Sequence, residues 1–112
     1  MPNPLVRQYT AELRHDGGSI PLTTSVILPN DRPAATAVRM ILTAEGAPMG
    51  AVQRVYEWPT CDHCYRVATR YVPGPMILPG AWCEYCAEER GAVTEELDVT
   101  RLPEVPRDQW AD

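Results

Sequence analysis

A chain of 112 residues, 45% of them hydrophobic, is one domain by size and can bury one modest core, while twelve prolines keep its regular elements short. Its net charge of −5 is opposite to the basic balance of a general nucleic-acid binder. No apolar run approaches the ~18 residues a membrane span needs, and the opening MPNPLVRQ lacks the hydrophobic stretch of a signal peptide, so the chain reads as soluble and cytoplasmic.

LVRQYTAELR alternates, with Tyr9, Ala11 and Leu13 on one side and Gln8, Thr10, Glu12 and Arg14 on the other, the period of a half-buried strand. HDGGS supplies a turn, and His15 within it reads as solvated. IPLTTSVILP, rich in β-branched residues, reads as a second antiparallel strand, in which Pro21 suits a beginning or an edge.

NDRPAATAVRMILTAEG predicts a helix capped by Asn30 or Asp31, with Pro33 in its first turn and Gly46 as its left-handed C-terminal residue. Arg32, Thr36, Arg39 and Thr43 trace a polar stripe; Ala34, Val38, Ile41 and Leu42 form the apolar face. AVQRVYEW predicts a third strand. Residues 1–58 thus form a hairpin, helix and strand unit.

Residues 59–91 carry all four cysteines, as Cys61-x2-Cys64-x18-Cys83-x2-Cys86. In a reducing compartment paired cysteines point to metal ligation rather than disulfides, and two residues between cysteines let a tight turn offer both sulfurs to one ion. The four cysteines are therefore the expected ligands of a structural Zn2+. Two redox pairs, or four unrelated buried cysteines, would not need this regular spacing. His63 could replace a cysteine, but four thiolates already suffice. Between the pairs, YRVATRYV alternates like a strand, with Tyr65, Val67, Thr69 and Tyr71 on one face and Arg66, Ala68 and Arg70 on the other. MILP at 76–79 reads as the returning strand. Trp58 and Trp82, flanking the two turns, are expected to shield the metal.

A first cysteine turn, a hairpin and a second pair opening a helix resembles the treble-clef zinc fingers, and the x2–x18–x2 spacing is similar to that of GATA-type fingers. The resemblance covers about 30 residues and implies metal-ligand roles for Cys61, Cys64, Cys83 and Cys86 alone; a zinc ribbon, with both pairs on hairpin turns, stays open. Unlike GATA-type fingers, this chain offers only Arg66 and Arg70 in the hairpin, and acidic residues follow the helix. Catalysis is not expected, because four thiolates close the coordination sphere and no His-Glu-x-x-His or deaminase pattern is present.

Residues 92–112 hold two prolines and six acids against two arginines, and read as an acidic tail, extended or disordered, or docked through its few apolar residues. Trp110 within it is either a partner anchor or a docking residue on its own domain. The resulting expectation is an α+β fold: the hairpin, helix and strand unit joined to a zinc-bound treble-clef or zinc-ribbon module. Its expected role is non-enzymatic, binding a protein partner as regulator or assembly subunit. The alternative is nucleic-acid recognition through the hairpin face carrying Arg66 and Arg70.

Overall fold

The computed structural model describes residues 6–61, 64, 66–71, 80–91 and 93–111. The chain is mixed α/β: among the described residues it forms two small three-stranded antiparallel sheets, three α-helices and a four-cysteine cluster.

The alternating first segment becomes β1 (Val6–His15), which turns through Asp16 and Gly17 into β2 (Gly18–Ile27). Gly17 sits at φ 79°, a conformation glycine adopts without steric cost. Pairing is continuous from Val6↔Ile27 to His15↔Gly18. On its other side β1 pairs with β3 (Val52–Glu57), slipping register between Glu12 and Leu13. The sheet order is β2-β1-β3, so Pro21 lies in an edge strand.

Helix α1 (Pro33–Glu45) covers one face of this sheet. Ala34, Ala35, Ala37, Val38, Ile41 and Leu42 are buried, and the alanines let helix and sheet approach closely. Neither Asn30 nor Asp31 is its N-cap. That position falls to Arg32, which makes no side-chain capping bond. Proline disfavours helical geometry in the residue before it, so the helix begins at Pro33 itself. Asn30 instead closes a turn, its Oδ1 accepting the Arg32 N–H at 2.9 Å. Gly46 ends the helix in the left-handed conformation at φ 66°.

The second sheet is smaller, in the order β5-β4-β6: β4 (Arg70–Tyr71), β5 (Ala81–Trp82) and β6 (Glu95–Glu96). Helix α2 (Glu84–Glu89) follows β5 directly. The long alternating strand expected over 65–72 is two residues long among the described positions. Residues 66–68 pair back toward 59–61 instead, and Thr69 then bonds to Trp82 and Leu97. The proposed MILP strand lies outside the described residues.

Residues 93–111 run along both sheets. Glu95 and Glu96 pair with β4. Pro103 O accepts from the Glu57 N–H at 3.1 Å, and the Val105 N–H donates to Val55 O at 2.7 Å, so this segment flanks the outer edge of β3. Helix α3 (Arg107–Trp110) then lays Trp110 into the core formed by β1, β3 and α1. The segment's sparse hydrophobics account for this course: Leu102, Val105 and Trp110 are all buried. No helix among the described residues is long and apolar enough to cross a membrane.

Candidate metal centre

Beyond β3 the chain passes Trp58 and Pro59 to Cys61. The Cys61 N–H donates to Arg66 O, and the Ala68 N–H to Pro59 O, both at 2.8 Å. These bonds hold residues 59–61 against residues 66–68. Within it the Arg66 N–H points at Cys64 Sγ, at 3.4 Å.

The second pair is positioned by β5 and α2. Cys83 is the N-cap of α2, and its Sγ accepts the Cys86 N–H at 3.4 Å. The one contact thus caps the helix and turns Cys83 and Cys86 toward each other. The Arg70↔Trp82 pairing and a 3.1 Å bond from the Thr69 N–H to Trp82 O bring the two turns together.

The result is a cluster in which the Sγ atoms of Cys61, Cys64, Cys83 and Cys86 all lie within 4.8 Å of one another. Cys64 Sγ and Cys83 Sγ stand 3.6 Å apart. Four thiolates bound at ~2.3 Å to one tetrahedral ion would stand ~3.8 Å apart, so the spacing matches a metal–thiolate centre. It does not match a disulfide, whose sulfurs are ~2.05 Å apart, and none of the four cysteines is in a disulfide. Cys61, Cys83 and Cys86 are buried and Cys64 is half-buried.

The Cys86 thiol is pushed up to about 12, first by its hydrogen bond with Cys83, then by burial and by Cys61 and Cys64. Burial likewise raises Cys64, opposed in part by the Arg66 N–H. Cys64 and Cys86 thus resist ionising beside the other sulfurs, and a bound cation would reverse that by compensating the charge.

Ala68 and Trp82 complete the site. Ala68 is 0% exposed and packs among the cysteines, although strand alternation groups it with Arg66 and Arg70. Trp82 packs against the cluster as expected. Trp58 does not: its indole N–H donates to Thr10 Oγ1 at 2.8 Å, binding it to the first sheet. Ala68 was legible only as a small residue among larger ones, a weak signal. Ala87, buried on α2 one residue beyond Cys86, carries the same weak signal.

The remaining candidate residues lie apart from the cluster or make internal contacts. Arg66 is exposed and lies 4.9 Å over the Tyr85 ring. Arg70 donates from Nε to Thr94 Oγ1 at 2.5 Å and from Nη2 to Thr94 O at 3.2 Å. Trp110 is only 4% exposed and donates from Nε1 to Val105 O at 3.0 Å, so it docks on its own domain. His15 ends β1, exposed, and His63 lies outside the described residues. No family model, curated protein or solved structure matches this chain.

Proposed function

We propose that this chain is a small, non-enzymatic, zinc-stabilised protein that acts by binding another protein, as a regulator or as a subunit of an assembly. The observation that carries the zinc reading is the convergence of four cysteine sulfurs within 4.8 Å. Zinc takes four thiolates in a tetrahedron without preferring another geometry, and such a closed site is structural. A cysteine pair in the first turn of α2, after the β4–β5 pairing, favours the treble-clef reading over a zinc ribbon. When bound, the ion would compensate the charge of Cys61, Cys64, Cys83 and Cys86 and hold the two turns together.

A protein partner is favoured over nucleic acid by charge and by arginine use. The net charge is −5, Glu84, Glu88 and Glu89 are exposed on α2, and Arg70 is engaged by Thr94. Phosphate contacts dominate nucleic-acid affinity, and this surface offers few. Tyr85 is 59% exposed with Arg66 over its ring, an aromatic and arginine pair of the kind enriched at interface hot spots.

Metal analysis of the purified chain should return one zinc per molecule. Chelation should release amide protection around Ala68 and Trp82 before it reaches Val55, because the cysteine cluster and the main core are separate. A metal-free chain with unchanged exchange would refute the zinc reading. Affinity purification should recover a partner that Tyr85→Ala weakens. Salt-sensitive binding to DNA or RNA, lost in Arg66→Ala, would replace the protein-partner reading.

A further inference from the structure

The four sulfurs of the cluster are not equally covered. Cys61, Cys83 and Cys86 are at most 8% exposed, while Cys64 is only half-buried. We propose that the cluster is a peroxide-sensitive switch, in which Cys64 is oxidised first and then closes a disulfide with Cys83, releasing the metal. The inference rests on the zinc reading of the cluster and adds regulation to it.

Cysteine reacts as the thiolate, and reactive cysteines are partly exposed. A bound cation keeps all four sulfurs as thiolates, so exposure selects among them, and solvent reaches Cys64 most readily. Its sulfur also lies 3.6 Å from Cys83 Sγ, across the gap between the two cysteine turns. A disulfide needs ~2.05 Å, so about 1.5 Å of movement closes the pair. Burial withholds Cys83 from an oxidant in solvent yet leaves it within reach of Cys64. Attack and resolution therefore fall to different residues.

The Cys64 thiolate attacks one oxygen of hydrogen peroxide, the O–O bond breaks, and the departing hydroxide takes a proton and becomes water. Cys64 is then a sulfenic acid. The Cys83 thiolate attacks its sulfur, the S–O bond breaks, and a second hydroxide leaves and is protonated. Together the two thiolates give up two electrons, and the peroxide takes those electrons and two protons to become two waters. Formation of the S–S bond leaves only Cys61 and Cys86 to face the ion, two ligands where zinc takes four. In a reducing compartment such a bond is transient: two equivalents of a low-molecular-weight thiol return the pair to thiols and become a disulfide themselves.

The change reaches the surface through backbone. Cys64 Sγ accepts the Arg66 N–H and Cys83 Sγ accepts the Cys86 N–H, each at 3.4 Å, so oxidation removes an anionic acceptor from both turns. Cys83 is the N-cap of α2, whose six residues are too few to hold a helix alone. Arg66 and Tyr85, the exposed pair, each lie two residues beyond one of the coupled cysteines. Oxidation thus disturbs that pair while the separate main core stands.

Elemental analysis of the untreated chain decides the zinc reading on its own, and a chain without metal refutes that reading and the switch with it. On the loaded chain, hydrogen peroxide should release the zinc into a chelating dye. Peptide mapping should place a disulfide between Cys64 and Cys83, and a sulfenic-acid trap present during oxidation should mark Cys64. Amide exchange should rise at Arg66, Ala68 and Cys86 while Val55 stays protected, and reductant with zinc should restore the original pattern. Cys64→His offers zinc a ring nitrogen but peroxide no sulfur, and should slow the release about tenfold. If that variant does not fold, the trap on the unaltered chain still decides. A loaded chain that keeps its zinc under peroxide overturns the switch and leaves the zinc reading intact. So does a trap that first marks Cys83 or Cys86, or a disulfide formed within either Cys-x-x-Cys pair.

Discussion

Trp58 donates its indole N–H to Thr10 Oγ1 at 2.8 Å, and that hydroxyl, 0% exposed, lies 2.7 Å from the hydroxyl of Thr23. The residue that leads into the first cysteine turn is thereby tied to the centre of the first sheet and, through it, to β2. Thr10→Val removes the shared oxygen and leaves the Trp58 N–H without its acceptor. It should cost about 1–2 kcal/mol in denaturant melts. Trp58→Phe should cost about 1 kcal/mol, and the double variant less than the two together, because both delete one bond.

Ala68 is fully enclosed by the cysteine cluster, so its size limits how closely the sulfurs gather. Ala68→Leu should destabilise the chain by about 1–3 kcal/mol through overpacking. On the zinc reading it should also lower the metal content of purified protein, whereas Ala68→Gly should retain metal. Stoichiometry by elemental analysis separates the two.

Tyr9 is held in its phenol form by burial and by donating to Glu57 Oε1 at 2.9 Å, which together raise its pKa from 10.0 to about 12. The folded state therefore binds this proton more tightly than the unfolded state does. The associated stability is fully present below pH 10 and is lost as pH climbs through 12. Tyr9→Phe should make the decline between pH 10 and 12 shallower, as read from melts across that range. Phenol absorbance should show one tyrosine ionising later than the ordinary value.

Trp110 fills the core between α1 and the sheet and bonds to Val105 O from within it. Trp110→Ala opens a large cavity and should cost about 3–5 kcal/mol. Trp110→Phe keeps most of the ring volume, loses the hydrogen bond, and should cost less. The same variants should raise amide exchange at Val105, whose N–H is bonded to Val55.

What could be read from the sequence was whatever repeats locally. The alternation of Tyr9, Ala11 and Leu13, the helical stripe from Ala34 to Leu42 and the paired cysteine spacing all express a period within a few residues, and each has its counterpart in the structure. What the sequence left open depends on distant backbone. Val105 and Trp110 stand five residues apart in an acidic, proline-rich stretch, too sparse for any period, yet both lie in the main core. The short course of β4 was hidden for the same reason, since hydrogen bonds to residues 59, 82 and 97 redirect the chain around it. The cap of α1 was a different failure, one proline overriding two good capping residues.

The way residues 103–110 close over β3 and α1 also sets a schedule for synthesis. Every element they cover is made earlier, so as the chain grows the pocket for Trp110 waits open, with Val55 and its neighbours lacking their last partners. The outer edge of β3 stays bare over the same interval. A nascent chain stalled before Val105 would leave both outer edges of the first sheet, rather than that of β2 alone, without a paired strand among the described residues. Docking of residues 103–110 encloses Trp110 and covers the outer edge of β3 in one stroke.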